Sequence, residues 1–217
     1  MKKYIVFDFD GTIINTNDVI IASWQATWEK FLGYRESISE IKDTFGETLK
    51  YTTSVRFPEC DSDEVIAYYR DWQFAHCDEM VYLFDGIVDM LKTLRDKGYK
   101  TAIATSRTHE GTMKYLNQFG IADYFDAVVT MEDVKNHKPN PETCLMALEK
   151  LGAKPSEAVM LGDTRFDIGC ANNAGVDSIL VGWGEVTTEA RLKEIGYEPT
   201  YCIDHPDDLI ALLEYIQ

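Results

Sequence analysis

Apolar and polar positions change rhythm along this chain. Tyr4-Ile5-Val6-Phe7 is a short run without a polar break, the pattern of a strand buried on both faces, as in a parallel sheet. From there to Met80 the spacing turns helical. Val19, Ile20, Ala22, Trp24, Ala26, Trp28, Phe31 and Leu32 mark a first helix, with Asp18 as its expected cap and Gly33 as its end. A second helical stretch, about Ser39 to Leu49, is interrupted at Phe45-Gly46, and Pro58 ends the helical pattern beyond it. Asp61-Ser62-Asp63-Glu64 opens a third helix in the manner of a capping box, carrying Val65, Ile66, Tyr68, Tyr69, Trp72 and Phe74. No strand is expected between about Asn15 and Met80, and the aromatic residues there read as the core of a helical module.

Beyond Leu83 the two rhythms alternate. Strands are expected at Lys100 to Ala104, Ala127 to Thr130, Ala158 to Leu161, Ser178 to Val181 and Tyr201 to Ile203. Helices fall between them at Gly86 to Lys97, Thr108 to Phe119, Pro141 to Leu151, Phe166 to Ala174, Thr188 to Ile195 and Pro206 to Tyr215. Repeated strand–helix units build a doubly wound, Rossmann-like α/β sheet with helices on both faces. The first strand belongs to that sheet, so the helical module is an insertion. The expected domains are a core of residues 1–14 and 83–217 and a helical cap of residues 15–82.

Composition narrows the class. A chain of 217 residues can bury one sizeable core with a small insert, and 45% hydrophobic residues is ordinary for a globular protein. The net charge of -16 argues against nucleic acid or an anionic membrane as partner. The 5 cysteines are scattered without paired spacing, which points to a reduced, cytoplasmic setting, and the 4 histidines show no zinc-ligand pattern. Met1-Lys2-Lys3 leads into too few apolar residues for a signal peptide, and no stretch is long enough to cross a membrane.

Ligands of open parallel sheets bind beyond the carboxyl ends of the strands, so the residues after each strand carry the chemistry. The first strand delivers Asp8 and Asp10. The next delivers Thr105, Ser106 and Arg107; a third leads to His137-Lys138-Pro139-Asn140-Pro141; a fourth delivers Gly162-Asp163-Thr164-Arg165-Phe166-Asp167. Two ionised carboxylates at one strand end require a cation, a raised pKa, or both. Each feature has a plain alternative when seen alone: an acidic turn at Asp8 to Gly11, a strand-end Thr105, a solvated loop Lys138, a helix-dipole partner in Asp167. Their convergence on one sheet edge is what favours a site.

In this order, Asp8-Phe9-Asp10-Gly11-Thr12, Thr105, Lys138 in Lys-Pro-x-Pro, and Gly162-Asp163-x-x-x-Asp167 resemble the four motifs of the haloacid dehalogenase superfamily of phosphatases. The helical insertion resembles the small cap of its phosphoglycolate phosphatase and β-phosphoglucomutase group. Ile14 to Asn17 with Ile20 to Ser23 is similar to the inorganic-pyrophosphatase branch. The resemblance implies Asp8 as nucleophile forming an aspartyl-phosphate and Asp10 as general acid and base. It implies Mg²⁺ held by the Asp8 carboxylate, the Asp10 carbonyl and Asp163, with Asp167 acting through water or its neighbours. Thr105, with the N–H groups of Phe9 and Ser106, would hold the phosphoryl oxygens, and Lys138 would neutralise them. Arg107, where relatives often carry lysine, is expected to contact phosphate. Gly46, Glu47 and Thr48 occupy the part of the cap where relatives set specificity, and Glu47 is an odd neighbour for a highly anionic substrate. Asp85-Gly86 stands where relatives usually have Pro-Gly.

The expected activity is hydrolysis of a small phosphorylated metabolite resembling phosphoglycolate, by a monomer or homodimer. The alternatives are an inorganic pyrophosphatase, a phosphomutase that shields the phosphoenzyme from water, and a non-catalytic binding protein on the same fold.

Overall fold

The computed structural model describes residues 2–216, apart from the side chain of Asp78. The chain divides into two compact units: the residues up to Ile14 together with those from Leu83 onward, and Asn15–Tyr82 between them. In chain order the first part runs β1 (Tyr4–Phe7), β2 (Ile14–Asn15), α1 (Asn17–Leu32), α2 (Ile38–Lys42), α3 (Leu49–Arg56), α4 (Ser62–Met80) and β3 (Tyr82–Leu83). It continues α5 (Ile87–Asp96), β4 (Lys100–Ala104), α6 (His109–Gln118), β5 (Ala127–Val129), α7 (Glu142–Leu151) and β6 (Ala158–Gly162). The last elements are α8 (Arg165–Ala174), β7 (Asp177–Val181), α9 (Glu189–Glu194), β8 (Tyr201–Ile203) and α10 (Asp208–Tyr215).

Six parallel strands lie in the order β5-β4-β1-β6-β7-β8. This is the Rossmann-like doubly wound α/β fold that the strand–helix alternation predicts. The central strands are apolar throughout because helices cover both faces: Ile5, Val6, Phe7, Val159 and Leu161 are fully buried. On one face Val6, Ala102 and Met160 pack with Cys144, Ala147 and Leu148 of α7 and Cys170 and Ala171 of α8. Small residues on the two helices let them approach the sheet closely. β2 and β3 form a separate two-stranded ribbon where the chain leaves and re-enters the sheet unit, and Asn15 Nδ2 donates to the Tyr82 hydroxyl at 2.9 Å.

The helical unit is organised by aromatic rings. Trp24 lies 4.4 Å from Tyr69 and 6.0 Å from Phe57, and Trp28 lies 4.7 Å from Phe57, centroid to centroid. These rings join α1 and α4 to the segment after α3, the arrangement that their helical spacing suggests. The local detail differs in three places. Thr16, not Asp18, occupies the position before α1 and makes no side-chain cap bond; Asp18 lies in the first turn, where its charge suits the helix dipole. Leu49–Arg56 is a helix of its own, capped by Thr48 Oγ1 accepting from Tyr51 N at 3.3 Å; its Thr-Thr-Ser run hides the helical period. α4 runs past Phe74 to Met80, through residues whose polarity conceals the continuation. Asp61 caps it as expected, accepting from the amides of Asp63 and Glu64.

Trp24 touches three of the other rings, so Trp24→Ala is expected to destabilise the helical unit by about 3–5 kcal/mol, read from urea unfolding followed by near-ultraviolet circular dichroism.

Candidate active site

The site begins with the register of two neighbouring strands. β1 and β6 pair with Phe7 opposite Leu161, and Asp8 N extends the ladder by donating to Leu161 O at 2.9 Å. Asp8 and the Gly162-Asp163 pair therefore leave the sheet at the same edge. The strand order also reverses here: the chain builds β4 and β5 on one side of β1, then returns through α7 to lay β6 on the other. Such a switch point leaves a crevice at the carboxyl ends. Lys138 sits on that returning segment and is delivered into it.

Lys138 is the hub. Its Nζ donates to Asp8 Oδ1 at 2.6 Å and to Asp167 Oδ1 at 2.6 Å, with the lysine side chain 2% exposed. The other Asp167 oxygen accepts from Thr164 N at 3.1 Å and Thr164 Oγ1 at 2.6 Å. That capping box starts α8 and fixes Asp167 at the same time. Asp163 accepts from Thr12 Oγ1 at 3.3 Å. The loop after β1 turns tightly, with the Ile13 and Ile14 amides both donating to Phe9 O. At its apex Gly11 has φ of 81°, and a Cβ there would stand 2.2 Å from Asp163 Oδ2. Only glycine fits both the backbone and the carboxylate.

Carboxylate oxygens of Asp8, Asp163 and Asp167 come within 4.8 Å of one another, all buried. Three carboxylates face one ammonium, which leaves negative charge uncompensated in a dry site. Burial first, and then the neighbouring Asp167, push the Asp8 carboxyl up to about 8 against the pull of Lys138. Burial, then Asp167 and Asp8, likewise hold Asp163 well above the usual carboxylate range. Burial opposes the charge on Lys138, but Asp167 and Asp8 outweigh it and raise its pKa. An all-oxygen cluster that resists ionisation, beside a glycine turn with no room for a side chain, fits a hard divalent cation of the Mg²⁺ type.

Thr105 and Arg107 flank the cluster at the end of β4. Thr105 is buried and its Oγ1 accepts from Arg107 N at 3.1 Å; Ser106 lies between them, half-buried. Arg107 is the residue expected to contact phosphate. Its guanidinium is engaged within the protein, Nη1 donating to Asp10 Oδ1 at 2.6 Å, because the acidic loop places a carboxylate within its reach. Phe9 is fully buried, and its carbonyl accepts from the Ile13 and Ile14 amides.

Among the other expected residues, Gly46, Glu47 and Thr48 lie in the helical unit and serve its local structure. Gly46 has φ of 81°, Thr48 caps α3, and a Glu47 oxygen accepts from Thr52 Oγ1 at 2.9 Å. Several supporting residues have no role in the motif reading: Thr12 and Thr164, which hold Asp163 and Asp167, and Trp183, whose Nε1 donates to Thr12 O at 2.9 Å. Gly184 beside it approaches so closely that a Cβ would stand 2.6 Å from Gly11 O. The one sequence signal for this support was an aromatic residue between two glycines, Gly182-Trp183-Gly184, directly after β7.

Residues 5–181 match the family model of haloacid dehalogenase-like hydrolases. The chain belongs to that family. As a haloacid dehalogenase-like hydrolase it is similar to pyrophosphatase PpaX of Halalkalibacterium halodurans, 35% identical over 96% of this chain and 95% of the relative. Among solved structures, a predicted phosphatase from Clostridium acetobutylicum is 29% identical with a TM-score of 0.83, covering 99% of each chain. The β-phosphoglucomutase of Clostridium difficile shares the fold, with a TM-score of 0.82 at 22% identity over 100% of this chain and 96% of that one. The hydrolase thus shares its architecture with enzymes named for different phosphoryl reactions.

The raised Asp8 pKa makes a pH prediction for the metal-free hydrolase. Native Asp8 keeps its proton to about 8 whereas unfolded Asp8 loses it near 3.8, so between those values the native state binds more protons and stability falls as pH rises. Urea unfolding in a chelator should show wild type losing stability relative to Asp8→Asn from pH 5 to 8, by on the order of a few kcal/mol. Parallel curves for the two proteins would contradict it.

Proposed function

We propose that this hydrolase removes a phosphoryl group from a small phosphorylated substrate through a covalent intermediate on Asp8. The observation that carries the reading is the Lys138 bridge: it holds Asp8 Oδ1, leaving Oδ2 as the attacking oxygen. Asp8 Oδ2 bonds to phosphorus as the bond to the leaving oxygen breaks, and Asp10 gives that oxygen a proton. Water then attacks the aspartyl-phosphate, Asp10 takes its proton, and the bond between Asp8 and phosphorus breaks. Lys138 neutralises charge on the transferring group. Thr105 Oγ1, already accepting from Arg107 N, directs its own O–H toward a phosphoryl oxygen, alongside the N–H groups of Phe9 and Ser106. Mg²⁺, held by Asp8, the Asp10 carbonyl and Asp163 with Asp167 behind them, would supply Lewis-acid neutralisation of the phosphate.

Full-length likeness to a relative named pyrophosphatase PpaX supports inorganic pyrophosphate as substrate. A phosphoglycolate-like monoester uses the same chemistry at Asp8 and differs only in the leaving group.

Released phosphate measured with pyrophosphate, phosphoglycolate and several sugar phosphates tests the substrate directly, and pyrophosphate is expected to give the highest kcat/KM. Turnover should stop in chelator and return with Mg²⁺. Asp8→Asn should lower kcat by roughly 10⁴-fold or more with an unchanged circular dichroism spectrum; near-normal turnover in that variant would refute the nucleophile.

A further inference from the structure

Arg107 is tied to Asp10 rather than to the metal cluster, and it is held from several sides. Its Nη1 donates to Asp10 Oδ1 at 2.6 Å, and its guanidinium carbon lies 4.9 Å from the centre of the Tyr115 ring. Gly111, one turn before Tyr115 on α6, leaves the remaining space: a Cβ there would stand 2.9 Å from Arg107 Nε. Gly111 and Tyr115 share a face of α6 at i and i+4 and together form a slot for the guanidinium. Inside it Nε is buried and has no hydrogen-bond acceptor among the described residues. An unpaired buried donor costs free energy, so the slot does not give Arg107 its most favourable hydrogen bonding; what it fixes is the direction of Nη1 toward Asp10.

We propose that Arg107 is a positioning residue for Asp10, an inference that rests on the phosphohydrolase reading above. By occupying Oδ1, Arg107 leaves Oδ2 to carry the proton. When Asp8 bonds to phosphorus, the Oδ2 proton passes to the leaving oxygen as its bond to phosphorus breaks. When water attacks, one of its protons returns to Oδ2 as the bond to Asp8 breaks. Arg107 stays protonated throughout and exchanges no proton. It acts by denying Asp10 the other orientation, in which the wrong oxygen would face the leaving group.

A group that serves only proton delivery matters most for leaving groups that need a proton. Arg107→Met and Gly111→Ala, the second pushing into the guanidinium without removing it, should be assayed by kcat/KM on an alkyl phosphate and on p-nitrophenyl phosphate. For Arg107→Met the alkyl ester is expected to lose roughly 10²-fold, and p-nitrophenyl phosphate, whose leaving group departs as a stable anion, less than about tenfold. Gly111→Ala should show the same bias more weakly. Equal losses on both esters in both variants would overturn the proposal. So would a raised KM with unchanged kcat, which would mark Arg107 as a phosphate contact. Wild type is measured on the same esters and on pyrophosphate: if it releases phosphate from none of them, the phosphohydrolase reading fails and this inference with it, whereas an active wild type with unbiased variants removes this inference alone.

Discussion

One ammonium between two carboxylates governs the architecture of the sheet edge. Asp8 from the end of β1 and Asp167 from the first turn of α8 reach the same buried point, and Lys138 lessens a repulsion that burial makes severe. The lysine comes from neither element. It arrives on the segment that crosses from one half of the sheet to the other, so the doubly wound topology itself brings the compensating charge to the place where it is needed. That neutralisation is incomplete with Asp163 included, and the shortfall is what makes the cluster receptive to a further cation.

The β1 loop carries two aspartates only two residues apart, and their surroundings divide them. Asp8 is enclosed with Lys138, Asp163 and Asp167, while Asp10 lies outside that enclosure and faces Arg107. Environment thus sets chemically identical groups apart, the arrangement by which paired carboxylates can run acid and base steps. Glycines make the separation possible. Gly11 lets the chain turn sharply enough for both to project from one strand end, and Gly184 lets the β7 loop press against that turn from behind.

Much of this was legible in the sequence because it depends on short-range patterns. The uninterrupted apolar run at Tyr4 to Phe7 and the strand–helix alternation after Leu83 read directly as a parallel sheet, and strand ends pointed to Asp8, Thr105, Lys138 and Asp163. What the sequence concealed involves residues distant in the chain. Arg107 reaches Asp10 from 97 positions away. Trp183 and Thr12 are 171 positions apart, and no local rhythm announces their bond. Helix boundaries around Thr16 and Leu49 were blurred for a different reason: threonine and serine are indifferent helix formers, and caps and tertiary contacts decide where such helices start.

The β2–β3 ribbon has a consequence for how the chain folds. β1 must find β4 across the whole inserted segment, since Tyr4 pairs with Lys100. A disordered insert would make that a long-range closure, slow because chain entropy must be surrendered before contacts form. Once the aromatic rings of the helical unit have assembled and the ribbon has joined its two ends, the kinetic distance between β1 and β4 shrinks to that of a strand–helix–strand crossover through α5. A sizeable insertion can therefore interrupt the pairing of β1 with β4 while adding little to the effective contact order of the fold.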